Sequence, residues 1–172
     1  MARKTDYIPL ALLLSVLALA GCSTSPTQPG DAGPNEVDAR VREPARQDSD
    51  GVQVHPLRNP AVEELAEEAA KAEESGDLDQ AAILLERALR IQPRNPEVLQ
   101  HMAEVQLQKR DYQQALNFAT RSYDIGPRVG EICSRNWRTI SVASEYLGNP
   151  SGSVEAEKRA VSCMSTKPGA LN

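Results

Sequence analysis

Apolar side chains divide the chain into three regimes. Ile8 to Ala20 is apolar except for Ser15, and Arg3 and Lys4 precede it. That run is short for a bilayer span, which needs about 20 residues, and a basic start before a short apolar stretch is the pattern of a secretory signal. Residues 23–60 then lose any sustained period. Pro26, Pro29, Pro34, Pro44, Pro56 and Pro60 interrupt Ser, Thr, Gln, Gly and Asp. From residue 61 apolar positions recur every three or four residues, which predicts helices over 60–75, 78–91, 96–109, 112–125, 132–147 and 150–164. The boundaries carry their own signals. Asn59-Pro60, Asn95-Pro96 and Asn149-Pro150 each pair an N-cap residue with proline at the first helical position. Asp77 with Gln80, and Asp111 with Gln114, read as capping boxes. Tight turns within the pairs predict antiparallel neighbours.

The helical region repeats itself. Leu65, Ala81, Ala88 and Pro93 recur as Leu99, Ala115, Ser122 and Pro127, a shift of 34 residues. A third set, Trp137, Ser153, Ala160 and Ser165, follows at a shift of 38, so about one helical turn is inserted near 126–133. Gly76, Arg110 and Gly148 each precede the small residue by five. These residues resemble the tetratricopeptide repeat. The resemblance implies an all-α solenoid of three helical hairpins, at about 62–95, 96–129 and 134–167. The third copy is degenerate, with Ser165 in place of proline and Gly152 inside its second helix.

The spacing has a physical reason. Ala69, Ala103 and Ser141 are small where the first helix of each hairpin meets the second, and Ala81, Ala115 and Ser153 are small where the second packs back. Leu65, Leu85, Leu99, Met102 and Trp137 fill the space between hairpins. One hairpin is too small to bury a core, and stacking supplies it. On the last helix, Glu155, Glu157, Lys158 and Arg159 surround a thin apolar stripe of Val154, Val161 and Met164, which reads as a self-capping end; an exposed dimer edge is the alternative.

The start of the chain reads as an address. Leu19-Ala20-Gly21-Cys22 resembles the lipobox of bacterial lipoproteins. That resemblance implies removal of residues 1–21, a diacylglycerol and an N-acyl chain on Cys22, and no other cofactor. Ser23 in place of an acidic residue implies the outer membrane, with the protein facing the periplasm. Residues 22–60 are then the lipidated cysteine and a disordered tether, since so polar a segment buries too little to offset its ordering entropy. The tether is a passive spacer, or its length carries the domain through the peptidoglycan layer, or Val52 to Leu57 docks on a partner. Residues 61–172 form the repeat domain.

Composition narrows the function. With 19 Lys+Arg against 24 Asp+Glu, the net charge is −5, which argues against nucleic acid as a partner. Two histidines and three cysteines leave little for a metal site. In an oxidising compartment Cys133 and Cys163, which open and close the third hairpin, are placed to form a disulfide. No phosphate loop, HExxH or GxSxG motif is present. His55 lies in the tether and His101 reads as a surface or groove histidine. Glu63/Glu64, Glu67/Glu68 and Glu73/Glu74 read as solvated helix faces. The chain is expected to be a binding protein, not an enzyme, with no small-molecule substrate.

In tetratricopeptide proteins the first helices of successive repeats line a concave groove. Carried over, this places Glu63, Ala66 and Ala70 there, then Gln100, Glu104 and Leu107, then Arg135, Arg138, Val142 and Tyr146. The expected groove is acidic at one end and arginine-rich at the other, and the expected partner contacts are Gln100, Glu104, Leu107, Arg135, Arg138, Val142 and Tyr146. The lysine/asparagine clamp of chaperone-tail binders is not matched, because Glu63 and Ala70 stand in its place. The whole plan of lipobox, tether and three repeats resembles LpoP-type lipoproteins. Those are tetratricopeptide activators of bifunctional class A penicillin-binding proteins, which implies a peptidoglycan synthase as partner. A pilotin-like escort of secretin subunits, an assembly scaffold and a structural envelope protein are the alternatives.

Overall fold

The structure, a computed structural model, describes residues 34–47 and 59–164. The signal segment 1–21, Cys22, the rest of the tether including His55 and Val52 to Leu57, and Ser165 lie outside the described residues. So does the C-terminal part of the third repeat beyond residue 164. Six helices form three antiparallel hairpins: α3 (Pro60–Glu74) with α4 (Leu78–Ile91), α5 (Pro96–Gln108) with α6 (Tyr112–Ile125), and α7 (Gly130–Tyr146) with α8 (Pro150–Met164). Ahead of them runs a continuous helical segment: α1 (Pro34–Val37), a π turn π1 (Asp38–Arg42) and α2 (Glu43–Gln47). No described helix is long and apolar enough to cross a membrane.

Local chemistry sets the boundaries. Asn59, Asn95 and Asn149 accept hydrogen bonds from the backbone N–H groups of Ala61, Val98 and Gly152, and Asp77 and Asp111 accept from Gln80 and Gln114. Each satisfies a donor that the first turn leaves without an intrahelical acceptor. Gly152 is therefore a first-turn residue of α8, facing the Asn149 cap. The hairpin turns share one backbone device. Gly76, Arg110 and Gly148 have φ of 82°, 64° and 76°. Glycine adopts this left-handed conformation freely, whereas Arg110 holds it at a cost.

The small-residue seams pack as the repeat requires. Ala69, Ala81, Ala88, Ala103, Ala115 and Ala160 are fully buried. Ser122, in the place of Ala88, is also fully buried, its hydroxyl donating to the Pro96 carbonyl at 2.7 Å. Ser141 and Ser153 meet at 3.0 Å across the third hairpin. The four inserted residues lengthen one helix: α7 has 17 residues against 13 in α5. Cys133 lies in that extra turn and is joined to Cys163 on α8, with Cα atoms 5.7 Å apart.

One expectation fails here. Residues 34–47 are helical and packed, not part of a disordered tether. Val37, Val41 and Ala45, four residues apart, are fully buried. The π turn has a local cause in Pro44, which lacks an N–H and whose ring crowds the carbonyl four residues back. The wider register, with the Glu43 N–H bonded to the Asp38 carbonyl, keeps the helix continuous up to that proline.

Candidate functional site

The concave face is built from α5 and α7, with the C-terminal end of α3 beside them, and the segment 34–47 lies on it. Val37 and Val41 share one apolar cluster with Leu107 on α5, Ala115 on α6, and Val142 and Ala143 on α7. Tyr112, Leu116 and Tyr146 close its edge, the two tyrosine rings stacked with centroids 4.4 Å apart.

Polar contacts flank this strip. Arg42 reaches Glu104 Oε2 with Nε at 2.7 Å and Glu73 Oε1 with Nη2 at 2.6 Å. Arg40 donates to Glu36 at 2.8 Å and to Glu145 at 2.5 Å. The Tyr146 hydroxyl lies 2.8 and 3.0 Å from the two Glu36 oxygens. The two buried carboxylates, Glu104 and Glu73, also have partners on the repeats themselves. Arg135 clasps Glu104 with two hydrogen bonds of 2.8 and 2.7 Å, and Gln100 donates to the same carboxylate at 2.9 Å. His101 lies 2.8 Å from Glu73, to which Gln108 also donates.

The electrostatics follow. Burial alone would raise the Glu104 carboxyl, but the charges of Arg135 and Arg42 outweigh it and hold it well below the usual range. Glu73 is lowered in the same sense: desolvation opposes ionisation, and the hydrogen bond to His101 and the Arg42 charge override it. Desolvation and the Glu36 carboxylate together push the Tyr146 phenol up.

This arrangement revises the expected groove. Its far end is not a free arginine-rich surface. Arg135 is spent on Glu104 and Glu131, and Arg138 bonds Ser134 on its own helix and Glu157 on α8. Gln100 lies inside, donating to Glu104 and Thr139. Glu104 and Leu107 are fully buried and Val142 nearly so, under or beside the segment, and Tyr146 is half-buried against Glu36. Glu73, read as part of a solvated face, is buried. The contacts missed in the sequence are Glu36, Val37, Arg40, Val41, Arg42 and Ala45, with Glu73 and Glu145 opposite them. Their one sequence signal is the four-residue recurrence of Val37, Val41 and Ala45 with arginines interleaved. Among the described residues no group of His, Cys, Asp and Glu is placed to hold a metal ion. What the geometry can do is hold a short helix by two branched apolar side chains and an arginine set between two carboxylates.

Comparison with known proteins agrees with the architecture. A profile of the tetratricopeptide repeat matches residues 72–121. The chain is similar to the solved globular C-terminal domain of P. aeruginosa LpoP, with 34% identity and a TM-score of 0.57 over 61% of this chain and 99% of that one. No curated protein sequence matches significantly.

Proposed function

Because the chain belongs to the tetratricopeptide-repeat proteins of the LpoP type, we propose that it is a lipid-anchored periplasmic protein that activates a class A penicillin-binding protein by direct contact. The observation that carries this reading is 34% identity across 99% of the LpoP domain. Two features support it. The lipobox at Cys22 gives the repeats an outer-membrane anchor without a spanning helix, since acyl chains bury about 0.8 kcal/mol per methylene. The concave face is shaped to take a peptide element by apolar and charged contacts, which is the work of a binding domain. Activation of this kind adds no catalytic group. The domain binds the active conformation of the synthase more tightly than the resting one and shifts the population toward it.

The test is reconstitution. Residues 22–172, with Cys22→Ser to avoid lipidation, are added to a class A synthase and lipid-linked precursor, and glycan polymerisation and crosslinking are followed. The expected result is a faster rate and a stable complex. No complex and no rate change overturn the reading, and secretin left monomeric in a deletion strain points to the pilotin role. Cys22→Ser in cells is expected to release the protein from the outer-membrane fraction.

A further inference from the structure

The concave face is already occupied by the chain itself, and the way it is occupied indicates that the occupant can leave. We propose that residues 34–47 are an intramolecular latch: a self-ligand of the concave groove whose release opens the groove and lengthens the tether in one step.

Three observations carry this. First, the segment is held by few groups. Among the described contacts its fully buried apolar residues are Val37, Val41 and Ala45, Arg40 and Arg42 make ion pairs to the repeats, and Glu36 accepts from the Tyr146 hydroxyl. A 14-residue helix containing Pro44 does not hold itself together in water, so the segment is ordered only while docked. Such an element opens at lower free energy than the core beneath it. Second, release leaves each buried carboxylate of the groove with a partner on the repeats. With Arg42 gone, Glu104 keeps its two-pronged Arg135 and Glu73 keeps His101 and Gln108. No buried carboxylate is stranded, so release avoids the large cost of an unpaired buried charge. Third, the segment interrupts the path from the anchor to the repeats. While it is docked, only residues 23–33 separate Cys22 from the domain surface, and 11 residues reach at most about 36–40 Å. Once it is released, residues 23–58 are available, and 36 residues reach at most about 120–130 Å.

The latch also specifies its competitor. A partner displaces it with a helix of the same chemistry: two valine-sized residues four apart, and an arginine after the second to enter between Glu73 and Glu104. The gain in reach rests on the anchorage proposed for Cys22, whereas the exchange itself does not.

The experiment uses the mature chain with Cys22→Ser, alone and with the added substitution Val41→Asp, which places a charge in the buried strip. The probe is a synthetic peptide of residues 34–47. Three results are expected. Amide exchange over residues 38–47 becomes fast in the Val41→Asp chain, while α5 and α7 stay protected. The peptide binds the Val41→Asp chain and binds the parent at least about tenfold more weakly, because the tethered copy competes at high effective concentration. The maximum dimension in small-angle scattering is longer for the Val41→Asp chain. Loss of protection in α5 and α7 together with the segment overturns the latch, since the segment is then part of the core. Peptide binding to neither chain, or equally to both, overturns it, as does an unchanged maximum dimension. None of these readouts uses a synthase, so a failure to activate one leaves the latch standing.

Discussion

Arg42 and Glu104 are separated by 62 residues in the chain and by 2.7 Å in space. The carboxylate sits under the segment that carries the arginine, yet its stronger clasp comes from Arg135 on the neighbouring repeat. The two cations therefore have different consequences when removed.

Arg42→Ala removes charged hydrogen bonds from a partly exposed guanidinium and leaves both groove carboxylates with other partners. Loss of such bonds costs about 1–3 kcal/mol. The expected outcome is weakened protection of residues 38–47 in amide exchange with little change in the unfolding midpoint of the repeats. Glu104→Gln removes the carboxylate that Arg135 clasps with two hydrogen bonds, and Arg135 is then left short of its principal counter-charge. Breaking a buried pair from one side costs about 3–5 kcal/mol. Urea unfolding of the two variants, followed by helical circular dichroism, is expected to rank Glu104→Gln as the more damaging by a clear margin.

Acid acts on the same carboxylates. Glu73 and Glu104 are held below the ordinary value in the folded chain. The unfolded chain therefore takes up protons first as the pH falls. The stabilisation is complete above the unfolded carboxylate value of about 4.3 and is lost as the pH drops through the lower folded values. The urea midpoint is expected to decline from about pH 5 downward. Arg42→Ala removes one of the charges that lowers both groups, so its decline over that range is expected to be shallower. Equal slopes for the parent and the variant contradict the assigned role of Arg42.

Much of this fold can be read locally, and the reason is chemical. The expected ranges 78–91 and 112–125 coincide with α4 and α6 because Asp77 and Asp111 fix their starts by side-chain bonds to nearby backbone. The shift from 34 to 38 residues likewise locates the extra turn of α7. Residues 34–47 could not be read this way. Pro34 and Pro44 speak against a helix, and three small apolar residues make a weak period, so the segment's order comes from Leu107 and Val142 far along the chain. The pairing of the groove charges is not legible in the sequence for a related reason. Residue type and helix position place Arg135 and Arg138 on the right helix, but not which acid each one meets. Those partners, Glu104 and Glu157, are set by packing between helices.

The disulfide staples the extra turn of α7 to α8. Cys133 and Cys163 close a loop with a separation of 30 residues. Constraint of the unfolded chain by a loop of that length is worth roughly 3–4 kcal/mol in the chain-entropy model. Reduction, or the double substitution Cys133→Ser with Cys163→Ser, is expected to lower the unfolding midpoint and to expose α8 before α3 and α4. Amide exchange with and without reductant resolves the order. Simultaneous loss of protection in all three hairpins contradicts a local staple.

The hairpin turns separate backbone strain from steric crowding. At Gly76 an added methyl group meets nothing within 4 Å, but φ is +82°. Gly76→Ala therefore costs through conformation alone, about 1–2 kcal/mol for a left-handed non-glycine residue. At Gly152 the backbone is helical, and an added methyl group would come within 2.3 Å of the Asn149 amide nitrogen, the far end of a side chain that can move. The liability there is the Asn149 cap, worth about 1 kcal/mol, while alanine gains up to about 1 kcal/mol over glycine in helix propensity. Gly152→Ala is expected to lie near neutral and Gly76→Ala to be clearly destabilising, as read by thermal unfolding of the two single variants. The reverse order would mean that the α8 cap, and not the left-handed turn, is the more demanding feature of these hairpins.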